Sequence, residues 1–163
     1  MPEIISNTSP LQYLHQLGVL DVLPKLVTTV TVPPAVQDEL TAGRKLGLNL
    51  PDLNSLDWII VRRPSSSAAL PMVTDLGAGE REVLALALET PDSVCVLDDA
   101  LARRIASALQ LRITGTLGIL IDAKRTALIP VIRPQLDQLH NLGFRLAAHT
   151  RVAVLKMAGE SPN

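Results

Sequence analysis

Apolar residues along this chain alternate between two patterns. Short runs of β-branched residues end in a polar or proline-rich junction, and longer stretches place Leu, Val, Ile or Ala at every third or fourth position. The first pattern reads as buried strands and the second as helices with one apolar face. Ile4-Ile5-Ser6 enters Asn7-Thr8-Ser9-Pro10, residues 28–32 run into Pro33-Pro34, residues 57–61 meet Arg62-Arg63-Pro64, residues 94–97 meet Asp98-Asp99, and residues 112–114 meet Gly115-Thr116. The helices follow these junctions. Leu11, Leu14 and Leu17 form a stripe that Gly18 stops, with Thr8 or Ser9 as the cap and Pro10 in the first turn. A short helix over 20–26 is limited by Pro24, and another runs from Pro34 to about Leu46. Further helices are expected over 80–89, 99–109 (Leu101, Ile105 and Leu109 on one face), 117–124, 134–142 and 147–157. Residues 65–76 read as an irregular passage leading to Gly77-Ala78-Gly79.

Repetition of short apolar strand, polar junction and helix predicts an α/β sandwich around a mainly parallel central sheet. Ligands of such sheets sit beyond the C-terminal ends of the strands, which is where Asn7 and Asp98 belong. No internal repeat or low-complexity linker divides the 163 residues, so a single domain is expected over 1–158, with 159–163 as a flexible C-terminal tail.

Composition narrows the chemistry. Hydrophobic residues make up 47% of the chain, yet the aromatics are only Tyr13, Trp58 and Phe144, so the core must be built from aliphatic side chains and a base-stacking platform has little to draw on. A formal charge of −1 argues against a generally basic nucleic-acid surface while leaving room for a local arginine patch. Cys95 is alone and sits in an apolar run, which reads as a buried small hydrophobe and permits no disulfide within the chain. No basic region leads an apolar stretch at the N-terminus and no run approaches about 18 apolar residues, so a cytoplasmic protein without membrane spans is expected.

Acidic residues fall where strands end or helices begin: Glu39, Glu80 and the pair Asp98-Asp99. Two carboxylates about 4 Å apart repel by roughly 4 kcal/mol at an effective dielectric near 20, so a close cluster calls for a cation or a shared proton. A hard oxygen-ligated ion such as Mg²⁺ or Mn²⁺ would relieve that repulsion and suit phosphodiester hydrolysis. The plainer readings stand beside this one. Glu39 and Glu80 also fit ordinary surface positions, Glu80 gaining from the dipole at a helix start, and Asp98-Asp99 also fit a capping pair. Asp75 fits a turn or a further ligand. Arg103 and Arg104, about one turn past Asp99, are placed to reach the acids or a phosphate. Thr116 in Gly115-Thr116-Leu117-Gly118 serves either as an N-cap or as part of a phosphate-binding helix start. The glycine pattern matches neither a Walker loop nor a dinucleotide fingerprint, and His15, His140 and His149 lack metal-ligand spacing.

Taken together, residues 5–11, 32–40, 79–87 and 97–103 resemble the PIN-domain superfamily, and more closely a prokaryotic branch related to the toxin ribonucleases of toxin–antitoxin pairs, with residues 115–120 typical of it. The resemblance extends to about Leu146. It implies a three-layer α/β/α sandwich and cleavage of single-stranded RNA by water activated on Mg²⁺ or Mn²⁺. By position, it places Asn7, Glu39, Glu80 and Asp98, with Asp99 adjacent, at the acidic metal and catalytic positions, with Thr8 or Ser9 as the hydroxyl beside the first acid. With Arg103 and Thr116, read from their own positions in the chain, Thr8 and Ser9 make up the substrate-binding candidates. A small cognate antitoxin and a homodimer are the partners it implies; the apolar helices of 11–26 and the segment 152–157 fit either such contacts or ordinary core. Asn7 departs from the pattern, because a neutral amide oxygen still coordinates a cation but attracts it less and cannot act as a base. A catalytically impaired protein serving as a binding or regulatory scaffold is therefore the alternative expectation.

Overall fold

A computed structural model describes residues 3–65 and 75–163. Five parallel strands form one sheet: β1 (Glu3–Ser6), β2 (Thr29–Val32), β3 (Ile59–Val61), β4 (Ser93–Val96) and β5 (Arg112–Thr114). Their order is β3-β2-β1-β4-β5. Parallel neighbours need crossover connections, and helices provide them: α1 (Thr8–Gln16), a 3₁₀ turn (Leu20–Val22) and α2 (Leu23–Leu26) before β2, and α3 (Pro34–Lys45) before β3. The helix α4 (Ala78–Glu89) leads into β4 and α5 (Ala100–Ala108) into β5, after which α6 (Thr116–Arg125), α7 (Arg133–Asn141) and α8 (Ala148–Met157) complete the chain. The result is the expected α/β/α sandwich. Most of the expected irregular passage over 65–76 lies outside the described residues.

The chain runs outward from β1 to β2 and β3, then returns to the other side of β1 with β4. The strand order therefore reverses between β1 and β4, and Asn7 and Asp98 leave the sheet on the two sides of that crevice. They are fixed there by pairing, since Ser6 lies opposite Val96 and the Asn7 N–H donates to the Val96 carbonyl at 3.1 Å. Burial follows strand position. Ile4 and Ile5 in the central strand are fully buried, as are Val94 to Leu97 to within a few per cent, whereas Ile60 and Val61 on the edge strand β3 are exposed.

Leu11, Leu14 and Leu23 are fully buried, with Leu17 and Leu20 nearly so, which makes the α1–α2 stripe part of the core rather than a partner surface. A buried Leu or Ile contributes about 1.5 to 3 kcal/mol over an exposed one, so these positions are occupied by folding itself. The aromatic contribution is small: Tyr13 and Phe144 meet edge to face with centroids 5.1 Å apart. The C-terminal residues reach back onto the fold, because the Glu160 carboxylate accepts from Lys124 Nζ at 3.2 Å and from the backbone N–H of Ile132 at 2.8 Å. Among the described residues no helix is long and apolar enough to cross a membrane.

Candidate functional site

Asn7 is the N-cap of α1 in extended conformation, and Thr8 is already the first helical residue, so the helix starts earlier than a Thr8 or Ser9 cap would allow. The shift has a chemical consequence. Asn7 uses no side-chain cap hydrogen bond, so its amide turns into the crevice, where Nδ2 donates to Glu80 Oε1 at 3.1 Å. Its Oδ1 is buried and accepts no hydrogen bond among the described residues. Thr8 donates from Oγ1 to Glu39 Oε2 at 2.5 Å, joining α1 to α3, and Ser9 follows in the first turn of α1.

Gly79 lies at the point where these groups meet. A Cβ built on it would stand 2.8 Å from Asn7 Oδ1 and 3.0 and 3.4 Å from the two carboxylate oxygens of Glu39. Three oxygens thus converge on one small volume above a residue with no side chain. Glu80, next in α4, folds its other oxygen back over Gly77, whose added Cβ would lie 2.6 Å from Oε2. The start of α3 is held by a residue the sequence reading passed over. Pro33 is the N-cap and Pro34 opens the helix, so neither brings a capping side chain, and Glu82 of α4 accepts from the Ala35 N–H at 2.8 Å instead. A helix opened by two prolines needs an acceptor from elsewhere to satisfy its first N–H groups, and that was the available signal.

Asp98 belongs to a second group of contacts. Its Oδ1 accepts from the Thr116 N–H at 2.8 Å and its Oδ2 from Thr116 Oγ1 at 2.7 Å. Burial pushes the Asp98 carboxyl up, and the two bonds from Thr116 and the nearby Arg103 charge pull it back without cancelling the shift. Thr116 is fully buried and spends its hydroxyl on this carboxylate. Arg103 donates to the Leu97 carbonyl at 2.8 Å. Asp99 is the N-cap of α5 and accepts from the Ala102 N–H at 2.9 Å, leaving Asp98 as the member of the pair that lines a cleft. Arg104 and Asp75 are exposed.

The hydrogen bonds divide the candidate residues into two sets, Asn7, Thr8, Glu39 and Glu80 around Gly79, and Asp98, Thr116 and Arg103 across the crevice. Among the described residues no group of three or more His, Cys, Asp or Glu side chains is arranged to hold a metal ion. The first set holds an amide, Asn7, beside its two carboxylates, and in the second Thr116 engages both oxygens of Asp98. Cys95 lies in the core, with its thiol pushed up to about 12 by burial.

A family model, DUF3368, described as a PIN domain, matches residues 3–160. The chain is a PIN-domain protein of this family. That membership carries a nuclease-type fold. No curated protein matches the sequence. The oxygen donors present in this PIN domain fit a hard cation in one respect: Asn7 Oδ1 is a buried acceptor without a donor among the described residues, facing the Glu39 carboxylate over a glycine. Buried polar atoms are rarely left in that state without a water or an ion.

Proposed function

We propose that this protein is a metal-dependent endoribonuclease acting on single-stranded RNA, with Asn7, Glu39 and Glu80 as its Mg²⁺ or Mn²⁺ donors. The observation that supports this most directly is the unpartnered Asn7 Oδ1 converging with Glu39 above Gly79. A bound dication would supply Lewis-acid charge at the scissile phosphate and a water of lowered pKa. The side chains do the rest. Thr8 orients Glu39 by donating to Oε2, and Asn7 Nδ2 orients Glu80 by donating to Oε1. The free carboxylate oxygens of Glu39 and Glu80 are the groups able to accept a proton from an attacking water, a role the Asn7 amide cannot fill. Asp98, held by Thr116, borders the cleft in which the RNA backbone lies, and Arg103 sets a positive charge beside it. Glu39, Glu80 and Asp98 are the catalytic side chains in this reading, with Asp99 confined to capping α5.

The proposal extends to the toxin class, with action in the cytoplasm, a second copy of the chain and a small antitoxin as partners. Exposed Leu46, Leu48, Ile60 and Val61, together with Val152 and Met157 on α8, supply apolar surface for such contacts. A second reading, a scaffold with impaired catalysis, is favoured by the same Asn7, which lowers the negative charge available to a cation and occupies one oxygen of Glu80.

The test is cleavage of labelled single-stranded RNAs in Mn²⁺, Mg²⁺ or EDTA by wild type, Glu80→Gln and Asn7→Asp. Metal-dependent cleavage that Glu80→Gln abolishes is expected. Cleavage by Asn7→Asp alone would establish the impaired scaffold, and no cleavage by any variant would overturn the nuclease reading.

A further inference from the structure

A cleft of about 370 Å³ opens beside Asp98 and is walled by α6, β5 and the segment before α8. It lies within the roughly 300–1,000 Å³ range of small-ligand sites. Its floor is low because Gly115 and Gly118 carry no side chains. A Cβ on Gly115 would stand 2.8 Å from Asp98 Oδ1 and 2.9 Å from Arg103 Nη1. Leu117 and Ile113 give apolar walls, and Phe144 and Arg145 close the far side. Phe144 is fixed in place by its edge-to-face contact with Tyr13. Arg145 is exposed and, among the described residues, has no hydrogen-bond or ion-pair partner.

We propose that this cleft is a nucleotide subsite, in which Arg145 and Arg103 bind a phosphate of single-stranded RNA and Phe144 packs against the neighbouring base. The class of ligand follows from the lining. Two guanidinium groups outweigh the single carboxylate, guanidinium pairs well with phosphate oxygens, and an aromatic ring beside apolar walls suits a flat base of any identity. An acidic peptide would match the arginines but leave the Phe144 wall without a planar partner. The proposal rests on the nuclease reading for its placement, since it sets one nucleotide next to Asp98. Its binding does not require a metal.

Binding of a fluorescently labelled single-stranded RNA decamer, titrated in EDTA over a range of salt, separates the two. Arg145→Glu is expected to weaken binding at least tenfold, and Arg145→Ala to lower the slope of log affinity against log salt by about 0.7, the value for one phosphate contact on a single strand. Lys156→Glu, the same charge change at an exposed residue of α8 outside the cleft, is expected to change binding less than threefold. Phe144→Leu keeps the apolar wall and is expected to lose severalfold in affinity with the salt slope unchanged. Equal affinity for wild type and Arg145→Glu, or no RNA binding by wild type at low salt, would overturn the subsite. Cleavage assays on the same variants keep the readings apart. Cleavage with binding indifferent to Arg145 retains the nuclease and removes the subsite, while Arg145-dependent binding without cleavage retains the subsite and removes the nuclease.

Discussion

Asn7 donates its amide to Glu80 at 3.1 Å while its own carbonyl oxygen, buried at the foot of α1, has no partner among the described residues. Replacing Asn7 by Asp removes the donor and sets a second carboxylate against Glu80. Without a cation the two charges repel, by up to roughly 4 kcal/mol at 4 Å and an effective dielectric near 20. Asn7→Asp is therefore expected to lower the melting temperature in EDTA by several degrees, at about 2 to 4 °C per kcal/mol for a chain of this size. Added Mn²⁺ should raise it by more than it raises wild type. Thermal melts of both proteins with and without Mn²⁺ decide this; equal metal-induced shifts would place the cation elsewhere.

Gly79 offers a cleaner separation of structure from function. Gly79 is the second residue of α4, where the gain from Gly to Ala is smaller than the roughly 1 kcal/mol of a helix interior, and the atoms a new Cβ would meet are the side-chain ends of Asn7 and Glu39. Making room for the methyl displaces those ends against their bonds to Glu80 and Thr8, and they no longer converge. Gly79→Ala is expected to leave the protein folded, with a small loss of stability, while reducing Mn²⁺ affinity and RNA cleavage at least tenfold. Chemical denaturation and metal titration on one preparation would check it, and unchanged metal affinity would disprove the convergence as a binding site.

Asp98 makes a pH prediction with a definite sign. Burial raises its carboxyl above the usual value of about 4, and Thr116 and Arg103 offset this only in part. The folded state then binds this proton more tightly than the unfolded chain. The stability owed to this group is complete at low pH and is lost as pH rises from about 4 through the raised value. Thr116→Val deletes the Oγ1 donor, moves the carboxyl further up and costs about 1 to 3 kcal/mol near neutral pH. Carboxyl-carbon NMR titration in EDTA should find Asp98 above the ordinary aspartate value in wild type and higher in Thr116→Val.

Strands and junctions were legible in the sequence wherever an apolar run met a proline or an acid, as at Val32-Pro33 and Leu97-Asp98, because burial and turn chemistry both act within a few residues. The site was legible only as far as its identities. Asn7, Glu39 and Glu80 were singled out, but the division of labour that sends Thr8 to Glu39 and Thr116 to Asp98 depends on contacts 31 and 18 residues apart in the chain. Glu82, Phe144 and Arg145 were passed over for the same reason. Each acquires its role from a neighbour on another element, and no local periodicity marks it.

Glu160 shows the same long-range logic at the C-terminus. Its side chain is 10% exposed and accepts from Lys124 and from the first N–H groups of α7, a helix whose N-cap, Ile132, supplies no side-chain bond of its own. Burial pushes the carboxyl up, but the bonds from Ile132, Lys124 and Arg133 together outweigh it and hold the group below the ordinary glutamate value. Here the sign is opposite to that of Asp98: the stabilisation is present above about pH 4 and is lost as pH falls through the lowered value. Glu160→Gln keeps the shape and some of the hydrogen bonding but not the charge at the helix start, an interaction typically of about 0.3 to 1 kcal/mol. Glu160→Ala also strands two backbone N–H groups, for a total near 2 kcal/mol. Urea denaturation at pH 7 and pH 3 should rank wild type above Glu160→Gln above Glu160→Ala at pH 7, with the gap between wild type and Glu160→Gln narrowing at pH 3. A gap that persisted at low pH would mean that the carboxylate's charge does not hold the C-terminal residues against α7.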